Sequence, residues 1–200
     1  MITTKRVMSS KGSAVFLDRD GIINKEVSYC HRKEEFNFVP NIFKVIFELQ
    51  KQFDYIFIVT NQAGIGRGYY SEGQYAELTS WMLEQFEKEN IYITKVYHCP
   101  HHPSGIAPYN IECCCRKPKP GMLLTAMKEF SVDPAKSILL GDKISDIESA
   151  REAKLAKAYI FGTGHLVSSD DISKADMYFE SMIDFYAYIR SNSPFQTNKS

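Results

Sequence analysis

The chain has 200 residues, of which 44% are hydrophobic and 24% are charged, a composition typical of one compact domain rather than of a disordered, collagenous or coiled-coil chain. Lysine plus arginine and aspartate plus glutamate number 24 each, so no net field attracts the protein to nucleic acid or to an acidic membrane. We find neither a signal-peptide pattern nor a run of about 18 apolar residues. The sequence therefore predicts a cytoplasmic protein with no nucleic-acid or membrane partner.

Short apolar runs alternate with longer segments of helical periodicity, which predicts an α/β fold with a mainly parallel sheet. The predicted strands are residues 14–17, 55–59, 91–98, 138–140 and 159–161. The predicted helices are residues 40–52, 71–90, 120–130 and 145–154. Ser71 and Gln74 form a capping-box pattern at the start of the second helix. We expect a single domain over 1–200, with its core at about 13–190 and termini that are flexible, including the tail from Asn192.

Two carboxylates, Asp18 and Asp20, follow directly on the first predicted strand, where ligands bind in parallel-sheet folds. Converging carboxylates repel each other, and a hard divalent cation such as Mg²⁺ relieves this repulsion through oxygen ligands. A solvated turn is the alternative, because Asp and Gly are common in turns. The ends of other elements carry Thr60, Lys117 and Asp142. Their gathering at one edge of the sheet favours a functional site.

Four motifs, in order along residues 14–165, resemble those of haloacid dehalogenase (HAD) superfamily phosphatases. They are Phe16 to Gly21, Val59 to Asn61, Lys117-Pro118, and Gly141-Asp142 with Asp146. More narrowly, the segments Cys99 to Pro103 and Cys113 to Pro118 resemble the heptose 1,7-bisphosphate phosphatases, whose close relatives are histidinol-phosphatases. The resemblance implies a three-layer Rossmann-like fold with a minimal cap.

The resemblance implies phosphoryl transfer in two steps, in which Asp18 attacks phosphorus and water then hydrolyses the aspartyl-phosphate. Asp20 would protonate the departing sugar oxygen and later deprotonate the water. Thr60 would donate to a phosphoryl oxygen, and Lys117 would offset the repulsion between nucleophile and phosphate. Mg²⁺ would bind the carboxylates of Asp18 and Asp142 and the main-chain carbonyl of Asp20.

The resemblance also implies a small phosphorylated sugar as substrate of a monomeric enzyme. The implied substrate contacts are Glu26, Tyr29, Asn61, Gln62, Arg116 and Lys143. Asp146 would contact a metal-bound water or orient Lys117. The implied reaction removes the C7 phosphate of D-glycero-D-manno-heptose 1,7-bisphosphate and leaves heptose 1-phosphate for nucleotide activation in surface-glycan assembly.

Two other functions are open to the same sequence. A histidinol-phosphatase would share the metal and the nucleophile, but Arg116 and Lys143 favour a second anionic group on the substrate. A zinc-stabilised binding module without catalysis would not need both Asp18 and Asp20. The scaffold alone does not choose among them, because one fold hosts several chemistries.

The cysteines are five in number, a poor basis for disulfide pairing in a reducing compartment. Cys99 and His101, with Cys113 and Cys115, offer a Cys₃His set that suits tetrahedral Zn²⁺. With four protein ligands the zinc would be structural and would order a loop over residues 99–116. Cys114 leaves open which cysteine pair binds, although side-chain alternation favours Cys113 and Cys115. A cluster of reactive or buried thiols is the alternative.

Overall fold

A computed structural model of the chain describes residues 11–164 and 166–192, which contain a six-stranded sheet with the order β3-β2-β1-β4-β5-β6. Each pair of neighbouring strands is parallel. The strands are β1 (Ala14–Leu17), β2 (Tyr55–Asn61), β3 (Lys95–Cys99), β4 (Ile138–Gly141), β5 (Lys157–Phe161) and β6 (Met177–Phe179). The α/β class with a parallel sheet is therefore confirmed.

Helices connect the strands, as crossovers between parallel strands require. They are α1 (Ile42–Leu49), α2 (Ala63–Gly66), α3 (Glu72–Lys88), α4 (Gly121–Phe130), α5 (Ile144–Glu152), α6 (Ser169–Lys174) and α7 (Met182–Asn192). The four predicted helices correspond to α1, α3, α4 and α5. The predicted capping box at α3 is present, since the Ser71 hydroxyl accepts from the Gln74 amide and the Gln74 side chain accepts from the Ser71 amide.

Two hydrophobic clusters cover the two faces of the sheet, because successive strand residues point to opposite sides. Val15 and Leu17 pack in the cluster that contains the apolar residues of α1, α3 and α7. Ala14 and Phe16 pack in the cluster formed with α4 and α5. All four residues of β1 are fully buried. The fold thus has the three layers that were expected, with the sheet in the middle.

The structure differs from the sequence prediction at several elements. The third strand begins at Lys95 and not at residue 91, because the Ile91 amide bonds back to the Phe86 carbonyl and pairing with β2 starts at Lys95. The short helix α2 and the elements β6, α6 and α7 were not predicted. The predicted flexible tail starts at Asn192, which is the last residue of α7. The rest of that tail, 193–200, and residues 1–10 lie outside the described residues, so the flexibility of the termini stays a prediction. Across the two described ranges, no helix is long and apolar enough to cross a membrane.

Candidate active site

The carboxyl ends of three neighbouring strands bring the predicted catalytic residues together. Strand β1 pairs with β2 on one side and with β4 on the other. Asp18 therefore follows β1 between Thr60, the next-to-last residue of β2, and Asp142, which follows β4 directly. All three side chains are buried. The Asp18 amide donates to the Leu140 carbonyl at 2.9 Å, which continues the strand pairing up to the site.

Lys117 is the buried cation of this edge. Its Nζ lies 2.8 Å from Asp18 Oδ1 and 2.6 Å from Asp146 Oδ1, and it donates to the Val59 carbonyl at 2.9 Å. Burial disfavours the charged amine, but the carboxylates of Asp146 and Asp18 outweigh it and raise the pKa of Lys117. Lys117 is therefore charged at neutral pH. Its ammonium lies directly against the predicted nucleophile. Asp146 contacts Lys117, and which of the two predicted roles it has stays a prediction.

Asp18, Asp142 and Asp146, hereafter the carboxylate cluster, place oxygens within 4.8 Å of one another. Burial, and then the charges of Asp18 and Asp146, raise the pKa of Asp142 to about 9. Burial also raises the pKa of Asp18 to about 7 against the pull of Lys117. One lysine thus does not offset the repulsion among three buried carboxylates. An all-oxygen donor set with excess negative charge fits a hard divalent cation such as Mg²⁺.

Asp20 is held by hydrogen bonds from Arg19, Asn24 and Gln62. Arg19 Nη2 lies 2.9 Å from each Asp20 oxygen, and Asn24 Nδ2 donates to Oδ1 at 3.0 Å. Burial favours the neutral acid, but the Arg19 charge and the donated hydrogen bonds outweigh it and lower the pKa of Asp20. Asp20 therefore rests as a carboxylate.

Arg19 is a site residue that the sequence analysis missed. Its side chain is 2% exposed, and Nη2 also donates to the Cys30 carbonyl at 3.0 Å. In the sequence it stands between two aspartates and resembles a residue of a solvated turn. The only available signal was its position between Asp18 and Asp20, since neither periodicity nor composition predicts a buried arginine.

Asn61 and Gln62, predicted as substrate contacts, bond to residues of the site itself. Asn61 Nδ2 donates to the Lys117 carbonyl and Asn61 Oδ1 accepts from the Lys117 amide, both at 3.0 Å. Gln62 Nε2 donates to Thr60 Oγ1 at 2.7 Å and to Asp20 Oδ2 at 3.1 Å. Both residues also line the adjoining cavity. Their contact with a substrate stays a prediction.

A cavity of about 280 Å³ opens beside Asp20. The other four predicted substrate contacts line it: Glu26, Tyr29, Arg116 and Lys143. Lys143 Nζ and Glu26 Oε2 lie 2.7 Å apart in its wall. The cavity is slightly smaller than the usual small-molecule site of about 300–1,000 Å³.

Two further residues of the cavity wall interact with each other. Arg67 Nη1 donates to the Tyr29 hydroxyl at 2.7 Å, and Arg67 Nη2 lies 3.0 Å from His102 Nε2. Four cationic side chains line the cavity: Arg19, Arg67, Arg116 and Lys143. The two carboxylates of the wall, Asp20 and Glu26, pair with Arg19 and Lys143. Such a wall suits a substrate with more than one anionic group.

The loop between β3 and α4 brings together a second group of potential metal ligands. Cys99, His101, Cys113 and Cys115, hereafter the thiol cluster, place their ligand atoms within 4.8 Å of one another. Cys115 Sγ lies 3.0 Å from Cys99 Sγ and 3.3 Å from His101 Nδ1. Cys114 is exposed and lies outside this set. The donors are soft and four in number, which fits tetrahedral Zn²⁺.

The thiol cluster is connected to the cavity through Arg116. This residue follows Cys115 in the chain, lines the cavity, and donates from Nη1 to the His101 carbonyl at 3.3 Å. The order of the loop therefore determines where one cationic side chain of the cavity lies.

Sequence comparison identifies close relatives of known name. The chain is 40% identical over 171 residues to the D-glycero-beta-D-manno-heptose-1,7-bisphosphate 7-phosphatase of Haemophilus influenzae, covering 86% of this chain and 93% of that protein. It is 46% identical over 163 residues to the D-glycero-alpha-D-manno-heptose-1,7-bisphosphate 7-phosphatase of Photorhabdus laumondii, covering 80% and 87%. The chain belongs to the heptose-1,7-bisphosphate 7-phosphatase family.

Other comparisons of this heptose-bisphosphatase family member concern its HAD-like fold. A family model described as HAD-hydrolase-like matches residues 114–179. An HAD-like phosphatase from Mesorhizobium loti superposes with a TM-score of 0.80 at 29% identity, covering 97% of this chain and 92% of that one. The D,D-heptose 1,7-bisphosphate phosphatase of B. bronchiseptica, complexed with magnesium and phosphate, has the same fold, with a TM-score of 0.74 at 22% identity and coverage of 89% and 98%. The predicted family is confirmed.

Proposed function

We propose that this heptose-bisphosphatase family member hydrolyses the C7 phosphate of D-glycero-D-manno-heptose 1,7-bisphosphate and releases heptose 1-phosphate. The observation that carries the proposal is the buried Asp18 with the Lys117 ammonium 2.8 Å from its carboxylate, beside a second aspartate at the mouth of a cationic cavity. A nucleophile, its charge partner and an acid thus meet where a phosphate ester can enter.

In the first step, Asp18 forms a bond to phosphorus while the bond from phosphorus to the C7 oxygen breaks. Lys117 offsets the charge brought together by carboxylate and phosphate. Asp20 gives its proton to the departing sugar oxygen. An incoming phosphate dianion raises the pKa of a neighbouring carboxylate, so substrate binding itself favours the protonated Asp20 that this step needs.

In the second step, water attacks the aspartyl-phosphate and Asp20 takes its proton. The phosphorus–oxygen bond to Asp18 breaks, and inorganic phosphate leaves. Thr60 Oγ1 accepts from Gln62, so its own proton is available for a phosphoryl oxygen in both steps. Asp20 enters this step as the carboxylate that Arg19 and Asn24 stabilise, and it leaves the step protonated. After phosphate has left, the same two donors favour loss of that proton to solvent.

The proposal includes two metal ions. The carboxylates of Asp18 and Asp142 and the main-chain carbonyl of Asp20 would hold Mg²⁺, which neutralises phosphoryl charge when bound. The thiol cluster would hold Zn²⁺, which ties the loop after β3 to the start of α4. The complex of magnesium and phosphate with a protein of the same fold supports the first assignment. The geometry of the four soft donors supports the second.

The substrate assignment rests on the relatives and on the cationic cavity. Relatives of both anomeric specificities match the chain, so we include both anomers. Arg67, Arg116 and Lys143 favour a bisphosphate over histidinol phosphate, whose amine is cationic at neutral pH. We place the enzyme in the cytoplasm as a monomer, where its product would enter nucleotide activation for surface-glycan synthesis. Five free cysteines suit that reducing compartment.

Phosphate release from the α and β heptose 1,7-bisphosphates and from histidinol phosphate tests the proposal. The zinc-loaded protein should cleave at least one heptose anomer far faster than histidinol phosphate, only with Mg²⁺ present. Asp18→Asn provides the matched inactive control. Faster cleavage of histidinol phosphate would contradict the substrate, and a folded protein that cleaves none of the three would contradict the activity.

A further inference from the structure

Gln62 is more deeply buried than a residue needs to be if its only role is to contact a substrate. Its side chain is 2% exposed, although the residue borders the cavity. Its amide group contacts two residues of the reaction, Thr60 and Asp20, which belong to different strand ends. Within residues 11–164 and 166–192, the other side-chain donors to Asp20 are Arg19 and Asn24, which belong to the same loop as Asp20 itself. Gln62 is therefore the side chain that fixes Asp20 relative to β2.

The orientation of the Gln62 amide follows from its partners. Both Asp20 oxygens accept from Arg19 Nη2 at 2.9 Å. The amide nitrogen of Gln62 also faces Asp20 Oδ2, at 3.1 Å, and donates to it. The same nitrogen gives its second proton to Thr60 Oγ1 at 2.7 Å. The oxygen then faces Tyr70, whose hydroxyl donates to it at 2.5 Å. All three polar contacts are satisfied in one orientation, and a flipped amide would place oxygen against the carboxylate.

Tyr70 is itself held firmly. Its ring is 5% exposed and stacks on His31, with ring centroids 5.0 Å apart and planes within 3°. A Cβ added to Gly64 would lie 2.1 Å from the Tyr70 ring, so the ring packs directly on the backbone of α2. Burial raises the pKa of Tyr70, so the hydroxyl keeps the proton that it donates.

We propose that Gln62 is a positioning residue that holds Asp20 for protonation of the leaving group, and that Tyr70 fixes the Gln62 amide for this task. The inference rests on the proposed phosphatase activity and adds two residues to it. The first phosphoryl transfer breaks the bond from phosphorus to the ester oxygen, and Asp20 supplies that oxygen with a proton. A displaced Asp20 therefore slows the departure of a poor leaving group more than that of a good one.

Two aryl esters of nearly the same size test this role without any sugar contact. Phenyl phosphate has a leaving group that needs a proton, whereas 4-nitrophenyl phosphate has one that leaves as the anion. The measured quantity is kcat/KM, which reports the first phosphoryl transfer. We expect Gln62→Leu to lower it about 50-fold for phenyl phosphate and less than about 5-fold for 4-nitrophenyl phosphate. Tyr70→Phe should lower kcat/KM about 5-fold for phenyl phosphate and leave it unchanged for 4-nitrophenyl phosphate.

Three controls distinguish positioning from a general structural effect. Tyr55→Phe removes a hydroxyl at the opposite end of β2 and should leave kcat/KM unchanged for both esters. Adding Tyr70→Phe to Gln62→Leu should change nothing further, because Tyr70 acts through Gln62. Tyr70→Phe removes a single oxygen and carries the test alone if Gln62→Leu does not fold.

The outcomes separate this inference from the proposed activity. A larger loss for phenyl phosphate than for 4-nitrophenyl phosphate in the variants supports the positioning role. Equal losses for both esters in an otherwise active enzyme would overturn the role and leave the phosphatase intact. A folded wild-type protein that hydrolyses neither these esters nor a heptose bisphosphate would overturn the activity and the role together.

Discussion

The carboxylate cluster and the thiol cluster are built in opposite ways. The carboxylates follow β1 and β4 or lie in α5, and all are buried. Of the thiol cluster, only Cys99 lies in a strand, and residues 100–120 between β3 and α4 contain no helix or strand. The sheet therefore fixes the shape of the first group, whereas its charge is unbalanced. Beyond Cys99, the loop of the second group has no strand pairing and is held by backbone hydrogen bonds, such as that from the His102 amide to the Tyr109 carbonyl, and by the four ligands themselves.

This difference predicts two separate roles for bound cations. A cation at the carboxylate cluster would change charge and reactivity without changing the fold. A cation at the thiol cluster would change the order of the loop, and reactivity only through Arg116 and Lys117, which follow Cys115 directly. Variants at the two clusters should consequently affect different observables.

The largest effect should come from the nucleophile. We expect Asp18→Asn to lower kcat by at least about 10³-fold, because the amide does not attack phosphorus. The protein should stay folded with a melting temperature at or above that of the wild type, since the substitution removes one of three repelling buried carboxylates. Phosphate release and a thermal melt measure the two effects. An asparagine variant that keeps a tenth of the activity would contradict the role of Asp18.

Crowding the carboxylate cluster should have the next largest effect. Gly21 has a φ of +90°, and a Cβ there would lie 2.1 Å from Asp142 Oδ2. We expect Gly21→Ala to displace Asp142 and lower kcat about 10²-fold. Gly73→Ala is the matched control, because a Cβ there meets its nearest atom at 3.7 Å, an ordinary contact. Steady-state kinetics should show no loss for this control, and equal losses in both variants would contradict the explanation.

The thiol cluster offers a matched pair of adjacent cysteines. Cys115→Ser should lower zinc content, increase proteolysis within the loop, and reduce kcat/KM for the bisphosphate about 10-fold through Arg116. Cys114→Ser should leave all three unchanged, since Cys114 is exposed and outside the cluster. Metal analysis, limited proteolysis and kinetics give the comparison. The same loss of zinc in both variants would show that the ligand set is wrong.

The pH dependence of stability should report the carboxylate cluster. Without Mg²⁺, the raised pKa values of Asp18, about 7, and Asp142, about 9, mean that the folded state keeps protons the unfolded state has lost. Stability from these groups is present below the unfolded pKa of about 4 and is lost as pH rises toward 9. We expect the melting temperature to fall between pH 5 and pH 9.

The matched measurement adds Mg²⁺ to protein dialysed free of it, with zinc retained. Bound cation favours the ionised carboxylates, so the stabilisation by Mg²⁺ should grow with pH over the same range. Asp142→Asn should reduce this dependence. A melting temperature that rises from pH 5 to pH 9 without Mg²⁺ would contradict the charge imbalance that we assign to the cluster.

The smallest effect concerns neither cluster. Ser71→Ala removes the cap of α3, whose hydroxyl accepts from the Gln74 amide at 3.2 Å. We expect a loss of about 1 kcal/mol in the free energy of unfolding and no change in kcat. Denaturant unfolding and kinetics measure both. A lower kcat in this variant would show that general destabilisation also lowers activity, and would contradict the roles assigned to the two clusters from loss of activity.

Much of the sheet could be predicted because its strands are continuous apolar runs. β1 and β4 are buried along their whole length, so their sequences are unbroken apolar runs, which are easier to recognise than strands that alternate with polar residues. The strand β6 has only three residues, two of them exposed, and carries no such signal. The start of β3 was misplaced because burial of Ile91 comes from packing and not from strand pairing.

The convergence of the candidate catalytic residues could be predicted from motif order, but their supporting contacts could not. Asp18, Thr60 and Asp142 stand at strand ends that topology brings together. The contacts of Arg19 and Tyr70 depend on tertiary packing between loops, and sequence spacing carries no information about it. Gln62 shows the same limit, since its residue type predicts a polar contact without saying which one.

Selective removal of each cation is the most direct test of the different roles of the two clusters. Amide hydrogen exchange and phosphate release would be followed on the same protein after removal of Mg²⁺ alone and after removal of zinc. Without Mg²⁺, turnover should stop while exchange in residues 99–119 stays unchanged. Without zinc, exchange in that segment should rise while β1 and β4 stay protected. Loss of protection in β1 and β4 after zinc removal, or in the loop after Mg²⁺ removal, would contradict the account.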